Sequence, residues 1–238
     1  MRCWKSKSLQ WAAQLNGEMN REIKIFGKKI NFELNSQADE SVFEEVFVDR
    51  DYKVVDEIIA KSHCILDVGA HIGCFSVYCA ALNEKALIFA YEPAPDNFSA
   101  LKESLKVNHC NNVKCKNVAI AAESGVRGFN LSEDSHNHSF FVEGAEVKVQ
   151  CLGVKQLLSR FDKVDLMKLD CEGAEFEILA AFTSEEFLKV KSFYIEYHEF
   201  ADGMDSLKLA DLLRKNGYIV ESKKSHYDNR MGFLLARR

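Results

Sequence analysis

Ionisable side chains follow two short apolar runs in the second half of the chain, and their types suit proton transfer. Asp170 and Glu172 follow one run, and Glu196 and His198 close the next. Neighbouring parallel strands lie about 4.8 Å apart, so the ends of two such strands would bring all four side chains to one crevice. His198 has the ordinary pKa best suited to a general base, about 6.5. The sequence therefore predicts four candidate catalytic residues, of which Asp170 could instead accept a hydrogen bond from a cationic amino group.

Two of these residues also have an ordinary structural interpretation. A carboxylate near a helix N-terminus is favourable, so Glu172 could simply cap the helix that follows it. His198 could be a plain residue of an exposed strand end. The pattern alone leaves these alternatives open.

A glycine turn, ILDVGAHIGCFS at residues 65–76, supplies the second group of candidates. An apolar run, a turn and an apolar segment predict a strand, a tight bend and a helix N-terminus, and ligands bind at this edge of an α/β sheet. The D-x-G-x-x-x-G spacing from Asp67 through Gly69 to Gly73 is not a dinucleotide fingerprint, because His71 stands where a second glycine is needed. No phosphate-loop lysine follows either. A nucleoside ligand without phosphate fits this turn, and S-adenosylmethionine is the common ligand of that kind.

A further carboxylate, Glu92, ends the apolar run 86–91. A carboxylate roughly 20 residues past the glycine turn is where α/β nucleotide sites hold ribose hydroxyls. An ionised carboxylate only accepts hydrogen bonds, so it can take both hydroxyl protons. The alternative interpretation is an exposed glutamate at a strand end.

These stretches resemble a known family. The turn ILDVGAHIG, then YEPAPDNFSAL, DLMKLDCEGAEFEIL at 165–179 and IEYH at 195–198 are similar, in this order, to the FkbM family of S-adenosylmethionine-dependent methyltransferases. The K-x-D-x-E-G-A-E signature from Lys168 to Glu175 is the most characteristic part. The resemblance covers roughly residues 40–200. It implies a Rossmann-like class I methyltransferase fold and, most often, methyl transfer to a hydroxyl of a sugar, polyketide or other natural product.

The resemblance also implies a set of cofactor-binding residues. Asn117 and Val118 end the third predicted strand of the nucleotide fold, where class I methyltransferases usually hold adenine. A divalent metal on Asp170, Glu196 and His198 is a hypothesis by analogy with catechol-type O-methyltransferases, and no metal site is predicted. The predicted cofactor-binding residues are Asp67, Gly69, Ala70, His71, Gly73, Glu92, Pro93, Asn97, Asn117, Val118 and Asp170.

The elements that must position these residues form one domain of 238 residues. From residue 61 to residue 238, short apolar runs alternate with helical patterns, which indicates an α/β domain. For this part we expect a seven-stranded, mostly parallel sheet with helices on both faces, whose last strand inserts antiparallel between two others. Residues 1–60 are expected to form an N-terminal cap, with a small hairpin over 22–34. The cap is either a lid over the cofactor or a packing appendage.

Composition argues against several classes of protein. The net charge of −5 offers no field that attracts a polyanion, so nucleic acid is a disfavoured partner. The eight cysteines contain no C-x-x-C pair, and no signal peptide or membrane span is apparent. We therefore expect a cytoplasmic enzyme that acts on a small-molecule or glycan hydroxyl. A cofactor-binding protein without transferase activity and an RNA methyltransferase are the alternatives. The acceptor depends on the cap and on the loop 130–141, and the sequence determines neither the acceptor nor the oligomeric state.

Overall fold

The computed structural model describes residues 19–131, 145–201, 203–225 and 228–238. The strands, in chain order, are β1 (Met19–Ile25), β2 (Lys28–Leu34), β3 (Cys64–Val68), β4 (Leu87–Tyr91), β5 (Val113–Lys116), β6 (Ala119–Ala121), β7 (Gly125–Leu131), β8 (Ala145–Gly153), β9 (Leu166–Leu169), β10 (Ser192–His198), β11 (Ile219–Lys224) and β12 (Met231–Arg237). The helices are α1 (Gln37–Phe43), a π-helix (Glu44–Asp49), a 3₁₀-helix (Asp51–Val55), α2 (Asp56–Lys61), α3 (Cys74–Leu82), α4 (Pro95–Val107), α5 (Val154–Leu158), α6 (Glu175–Ala180), α7 (Ser184–Lys189) and α8 (Ser206–Lys215).

Seven of these strands form the central sheet, in the order β11-β12-β10-β9-β3-β4-β5. Strand β12 runs antiparallel to both of its neighbours, and the other neighbouring pairs are parallel. The predicted seven-stranded, mostly parallel sheet with an inserted antiparallel strand is therefore confirmed. The carboxyl ends of β4, β3, β9 and β10 lie side by side.

Each face of the sheet has its own hydrophobic core, because successive residues of a strand point to opposite faces. On β3, Ile65 packs with Tyr78 of α3 on one face, and Leu66 packs with Ile178 of α6 on the other. These β3 side chains are completely buried. This explains why β3 and β9 are apolar apart from the buried Asp67 and Lys168, without an alternating polar face.

The described part of the N-terminal segment packs into the first of these cores. The predicted hairpin is present, with Ile23 of β1 opposite Ile30 of β2. Phe32 and Phe47 are buried, and the Phe47 ring centroid lies 6.1 Å from that of Tyr78. Residues 1–18 of the predicted cap lie outside the described part of the chain.

A second, smaller sheet follows β5 and has the order β6-β8-β7. The sequence patterns did not separate these strands from the main sheet. Strand β6 follows β5 after only Asn117 and Val118, so the chain leaves the main sheet at this point. Most of the loop 130–141 lies outside the described residues. None of the described helices is both long and apolar enough to cross a lipid bilayer.

Candidate active site at the carboxyl edge of the sheet

A cavity of about 310 Å³ opens at the carboxyl ends of β3, β4, β9 and β10. This volume lies in the usual range for small-molecule sites, roughly 300–1,000 Å³. The structure brings together ten of the residues predicted from the sequence. Those that line the cavity are Gly69, Ala70, His71, Glu92, Pro93, Asn97, Asp170, Glu172, Glu196 and His198.

Beneath the glycine turn, a buried lysine connects β3 to β9. The Lys168 ammonium donates to the Gly69 carbonyl at 2.8 Å and lies 3.1 Å from Oδ2 of Asp170 and 3.6 Å from Oδ1 of Asp67. Asp67 is fully buried and accepts a 2.6 Å hydrogen bond from Ser76. Asp67 is therefore not among the described residues that line the cavity.

The charges of this group are mutually dependent. Burial disfavours the Lys168 ammonium, but the nearby carboxylates of Asp170 and Asp67 outweigh burial and raise the pKa of the lysine. Burial also raises the pKa of Asp67, which Lys168 opposes. The charged lysine thus fixes the glycine turn to the end of β9, and Asp67 neutralises part of its charge.

Glu92 connects the ends of β3 and β4 through two backbone hydrogen bonds. Its carboxylate accepts from the His71 N–H at 2.8 Å and from the Ala94 N–H at 2.9 Å. Burial raises its pKa to about 7, although both backbone hydrogen bonds oppose the shift. A carboxylate has acceptor capacity for about four hydrogen bonds, so two further sites remain on the side chain that lines the cavity.

Asn117 and Val118, the predicted adenine residues, do not line the cavity as the described residues outline it. The Asn117 side-chain amide donates to the carbonyls of Glu92 and Pro93, each at 2.9 Å. Asn117 thereby holds the end of β4, and Val118 packs against the hydrophobic core. Residues 119–120, which come next, do line the cavity.

Gly73 has a packing function rather than a position on the cavity wall that the structure describes. Its φ is +93°, and a β carbon there would lie 2.5 Å from Cδ1 of Leu101 on α4. The glycine therefore allows α3 to begin directly against α4.

His198 lies between two carboxylates, one of which had no assigned role in the sequence analysis. Its Nδ1 is 3.3 Å from Oε1 of Glu175, and its Nε2 is 3.6 Å from Oε2 of Glu172. Glu175 also accepts hydrogen bonds from the N–H groups of Cys171 and Gly173. Burial lowers the pKa of His198, but Glu172 and Glu175 outweigh this effect and raise it. The signal for Glu175 was its position at the start of a helix, directly after the glycine loop.

The N-terminal segment contributes part of the cavity wall, through residues that the sequence analysis did not single out. Glu45 and Tyr52 line the cavity. The Tyr52 ring centroid lies 4.8 Å from that of Phe75 and 5.3 Å from that of Tyr194 on β10. Burial raises the pKa of Glu45 to about 7, and Asp170 adds to the shift. Local sequence gives no sign of Glu45 because its place depends on packing between distant segments. The C-terminal strands and the residue after β11 complete the lining, with Lys223, Lys224, Ser225, Met231 and Phe233.

One group of described residues brings potential metal ligands together. Asp170, Glu175 and His198 each offer one ligand atom, and these atoms lie within 4.8 Å of one another. Glu175 replaces Glu196 of the hypothesised set. Its carboxylate already accepts two backbone hydrogen bonds, and only a neutral imidazole binds a metal, whereas the His198 pKa is raised. We assign no metal to this group.

Three curated proteins are similar in sequence to this chain: two are named as methyltransferases, and one is a synthetase that matches over a short part of its length. The chain is 27% identical over 206 residues to the hexuronic acid methyltransferase AglP of Haloferax volcanii, covering 82% of each protein. It is 22% identical over 226 residues to the 31-O-demethyl-FK506 methyltransferase FkbM of Streptomyces tacrolimicus, covering 80% of this chain and 86% of that protein. It is also 22% identical over 239 residues to the AMB antimetabolite synthetase AmbE of Pseudomonas aeruginosa, where the match covers 80% of this chain and only 11% of AmbE.

Solved structures share the fold. The methyltransferase FkbM of Methylobacillus flagellatus superposes with a TM-score of 0.53 at 16% identity, covering 74% of this chain and 43% of that one. The magnesium protoporphyrin IX methyltransferase ChlM of Synechocystis, determined with bound SAM, has a TM-score of 0.53 at 14% identity and covers 86% and 85%. The model of the methyltransferase FkbM domain matches residues 67–220, which include the glycine turn, Glu92 and the signature around Asp170. The chain therefore belongs to the FkbM methyltransferase family.

Proposed function

We propose that this chain transfers a methyl group from S-adenosylmethionine to a hydroxyl of a sugar, a polyketide or another small natural product. The observation that carries the proposal is Glu92, whose carboxylate is oriented by two backbone N–H groups at the cavity wall. AglP and FkbM, whose names specify a hexuronic acid and a 31-O-demethyl substrate, support a hydroxyl acceptor.

The donor set suits the nucleoside and amino acid parts of this cofactor. Glu92 would accept the two ribose hydroxyls, and the backbone of the turn at Gly69 and Ala70 would lie against the nucleoside. Residues 119–120 would contact the adenine face. Asp170 would accept from the cationic amino group. Asp67 would act through Lys168, as a positioning residue below the turn.

The bound cofactor supplies an activated methyl carbon on a positively charged sulfur. The tasks of the chain are therefore to align the acceptor, to exclude water and to receive the hydroxyl proton. His198 was the predicted base, but Glu172 and Glu175 favour its protonated form, which cannot accept a proton. We therefore assign His198 an electrostatic role beside the acceptor and assign proton acceptance to a carboxylate.

Isothermal titration calorimetry with S-adenosylmethionine and S-adenosylhomocysteine tests the cofactor part. We expect wild-type protein to bind both compounds and Glu92→Ala to lose at least about tenfold in affinity for each, because charged hydrogen bonds to both hydroxyls disappear. Glu103→Ala, at an exposed position of α4, is the control. Absence of binding by wild-type protein would refute the proposal.

A panel of hydroxyl acceptors, including uronic acids, neutral sugars and polyketide alcohols, tests the transfer part. Formation of S-adenosylhomocysteine and of a methyl ether identifies the acceptor. Cofactor binding without turnover on any acceptor would instead favour a binding protein without transferase activity.

A further inference from the structure

Glu45 lies outside the range of residues that the family model matches, 67–220. It lies in the π-helix (Glu44–Asp49) of the N-terminal segment, whereas the match begins at residue 67. Its side chain nevertheless lines the same cavity as Gly69, Asp170 and Glu196. The N-terminal segment therefore takes part in the site and does not only pack against the domain.

The backbone around Glu45 is irregular and firmly held. π-Helical turns are rare in proteins, and those that occur are often found at functional sites. The π-helix ends at Asp49 and is followed by Arg50, whose φ of +57° is unusual for a residue with a side chain. The Arg50 guanidinium donates to Asp56 at 2.8 Å and to the Tyr78 hydroxyl at 3.0 Å, and it lies 5.2 Å from the Phe26 ring centroid. These contacts fix the turn that presents Glu45 to the cavity.

The electrostatic neighbours of Glu45 place it on one side of the cavity. The residues with the largest effect on its pKa include Asp170 and Lys168, and Glu45 in turn raises the pKa of Glu196 on β10. In the sheet, Glu92 follows β4 and Asp170 follows β9, with β3 between them. Glu45 therefore interacts with charged groups at the ends of β9 and β10.

The carboxylates that line the cavity differ in their hydrogen bonding. Asp170 is paired with Lys168 at 3.1 Å, and Glu172 lies 3.6 Å from His198. The carboxylates of Glu45 and Glu196 make no hydrogen bond or ion pair with the part of the chain that the structure describes, although both side chains are mostly removed from solvent. A carboxylate in such a place is stabilised when a ligand donates to it.

We propose that Glu45 is the general base of the methyl transfer and that the acceptor hydroxyl donates its hydrogen bond to this carboxylate. The inference rests on the proposed function. The hydroxyl oxygen forms a bond to the methyl carbon, the carbon–sulfur bond breaks, and its electron pair stays on sulfur. The hydroxyl proton goes to Glu45. The raised pKa of Glu45, about 7, suits this role because a base works best when its pKa is near the working pH.

Sinefungin tests the position of Glu45 without an acceptor. In sinefungin, a carbon that bears an ammonium replaces the sulfonium sulfur and its methyl, so the ammonium lies where the methyl group is transferred. S-Adenosylhomocysteine lacks this charge and reports on the rest of the pocket. We expect wild-type protein to bind sinefungin at least about tenfold more tightly than S-adenosylhomocysteine, because the ammonium pairs with Glu45.

In Glu45→Gln, we expect this preference to disappear while the affinity for S-adenosylhomocysteine stays within about threefold and the melting temperature is unchanged. Glu44→Gln is the matched control, since Glu44 is the exposed neighbour in the same π-helix. A preference retained in Glu45→Gln, absent from wild-type protein, or lost only in Glu196→Gln would overturn the assignment. If wild-type protein binds neither compound, the proposed function itself fails. With an acceptor in hand, Glu45→Gln should lower kcat by about 100-fold or more with little change in KM for S-adenosylmethionine.

Discussion

The carbonyl oxygen of Asp170 lies against the α carbon of Gly69, so closely that a β carbon on Gly69 would approach it to 1.7 Å. The end of β9 thus occupies the space that a side chain in the turn after β3 would need. The Lys168 ammonium donates a hydrogen bond to the Gly69 carbonyl and so holds the same two strand ends together. The glycine turn is therefore built for contact between two strand ends, and its shape at the cavity follows from that contact.

Replacing Gly69 should destabilise the protein far more than replacing a glycine of equal conformation. Gly27 has the same φ, +76°, but beyond its two chain neighbours no atom of the described residues lies within 4 Å of its β-carbon position. We expect Gly27→Ala to cost about 1 kcal/mol from backbone strain alone. Gly69→Ala adds a backbone clash and should cost at least about 3 kcal/mol. Urea unfolding measures both, and equal midpoints for the two variants would contradict the contact.

Removing the buried lysine should leave an uncompensated charge. We expect Lys168→Met to lower the free energy of unfolding by about 3–5 kcal/mol, because Asp67 loses its cation. Adding Asp67→Asn should cost less than the sum of the single changes, since the pair is coupled. Lys163→Met, at an exposed position, is the control. Simple additivity in the double-mutant cycle would show that the two groups do not interact.

His198 should titrate above the ordinary histidine range, and Glu175 should be one cause. We expect Glu175→Gln to lower the pKa of His198. The NMR chemical shift of the imidazole Cε1–H, recorded against pH, measures this pKa, and the His198→Gln variant assigns the signal. The control variant Glu185→Gln, at an exposed position, should leave the His198 pKa unchanged. Because the folded pKa is raised, this contribution to stability is full below about pH 6.5 and is lost as the pH rises through the folded value. A His198 titration that is the same in Glu175→Gln and wild-type protein would remove the carboxylate from the explanation.

Because of Glu92, the free energy of unfolding should decrease as the pH rises through a defined range. Its pKa is raised from 4.5 to about 7, so the folded state holds a proton that the unfolded state releases. The corresponding contribution is present below about pH 4.5 and is lost as the pH approaches 7, with a size of about 3 kcal/mol. We expect Glu92→Gln to lack this component. We therefore expect the difference in unfolding free energy between wild-type protein and Glu92→Gln to change between pH 4.5 and 8. A constant difference over this range would argue against the raised pKa.

The elements of the fold followed from local patterns in the sequence. Short, mostly apolar stretches at 64–66, 86–91 and 164–169 predicted buried parallel strands, because such strands are covered on both faces and need no polar alternation. The same patterns placed the glycine turn, Glu92 and Asp170 at one edge of the sheet. Chain connectivity and strand direction are enough for that step, since the carboxyl ends of neighbouring parallel strands meet at one edge.

The composition of the site within that edge depended on contacts between distant parts of the chain. The sequence could not show that Asp67 lies below the cavity against Lys168, about a hundred residues away, or that Asn117 holds the end of β4. It also could not show Glu45, which reaches the cavity through a π-helix held by Arg50 and Tyr78. By itself, then, the sequence determined the strands, the turn and the family. The tertiary structure decided which polar side chains face the cavity, because burial and charge pairing act between segments that local patterns treat separately.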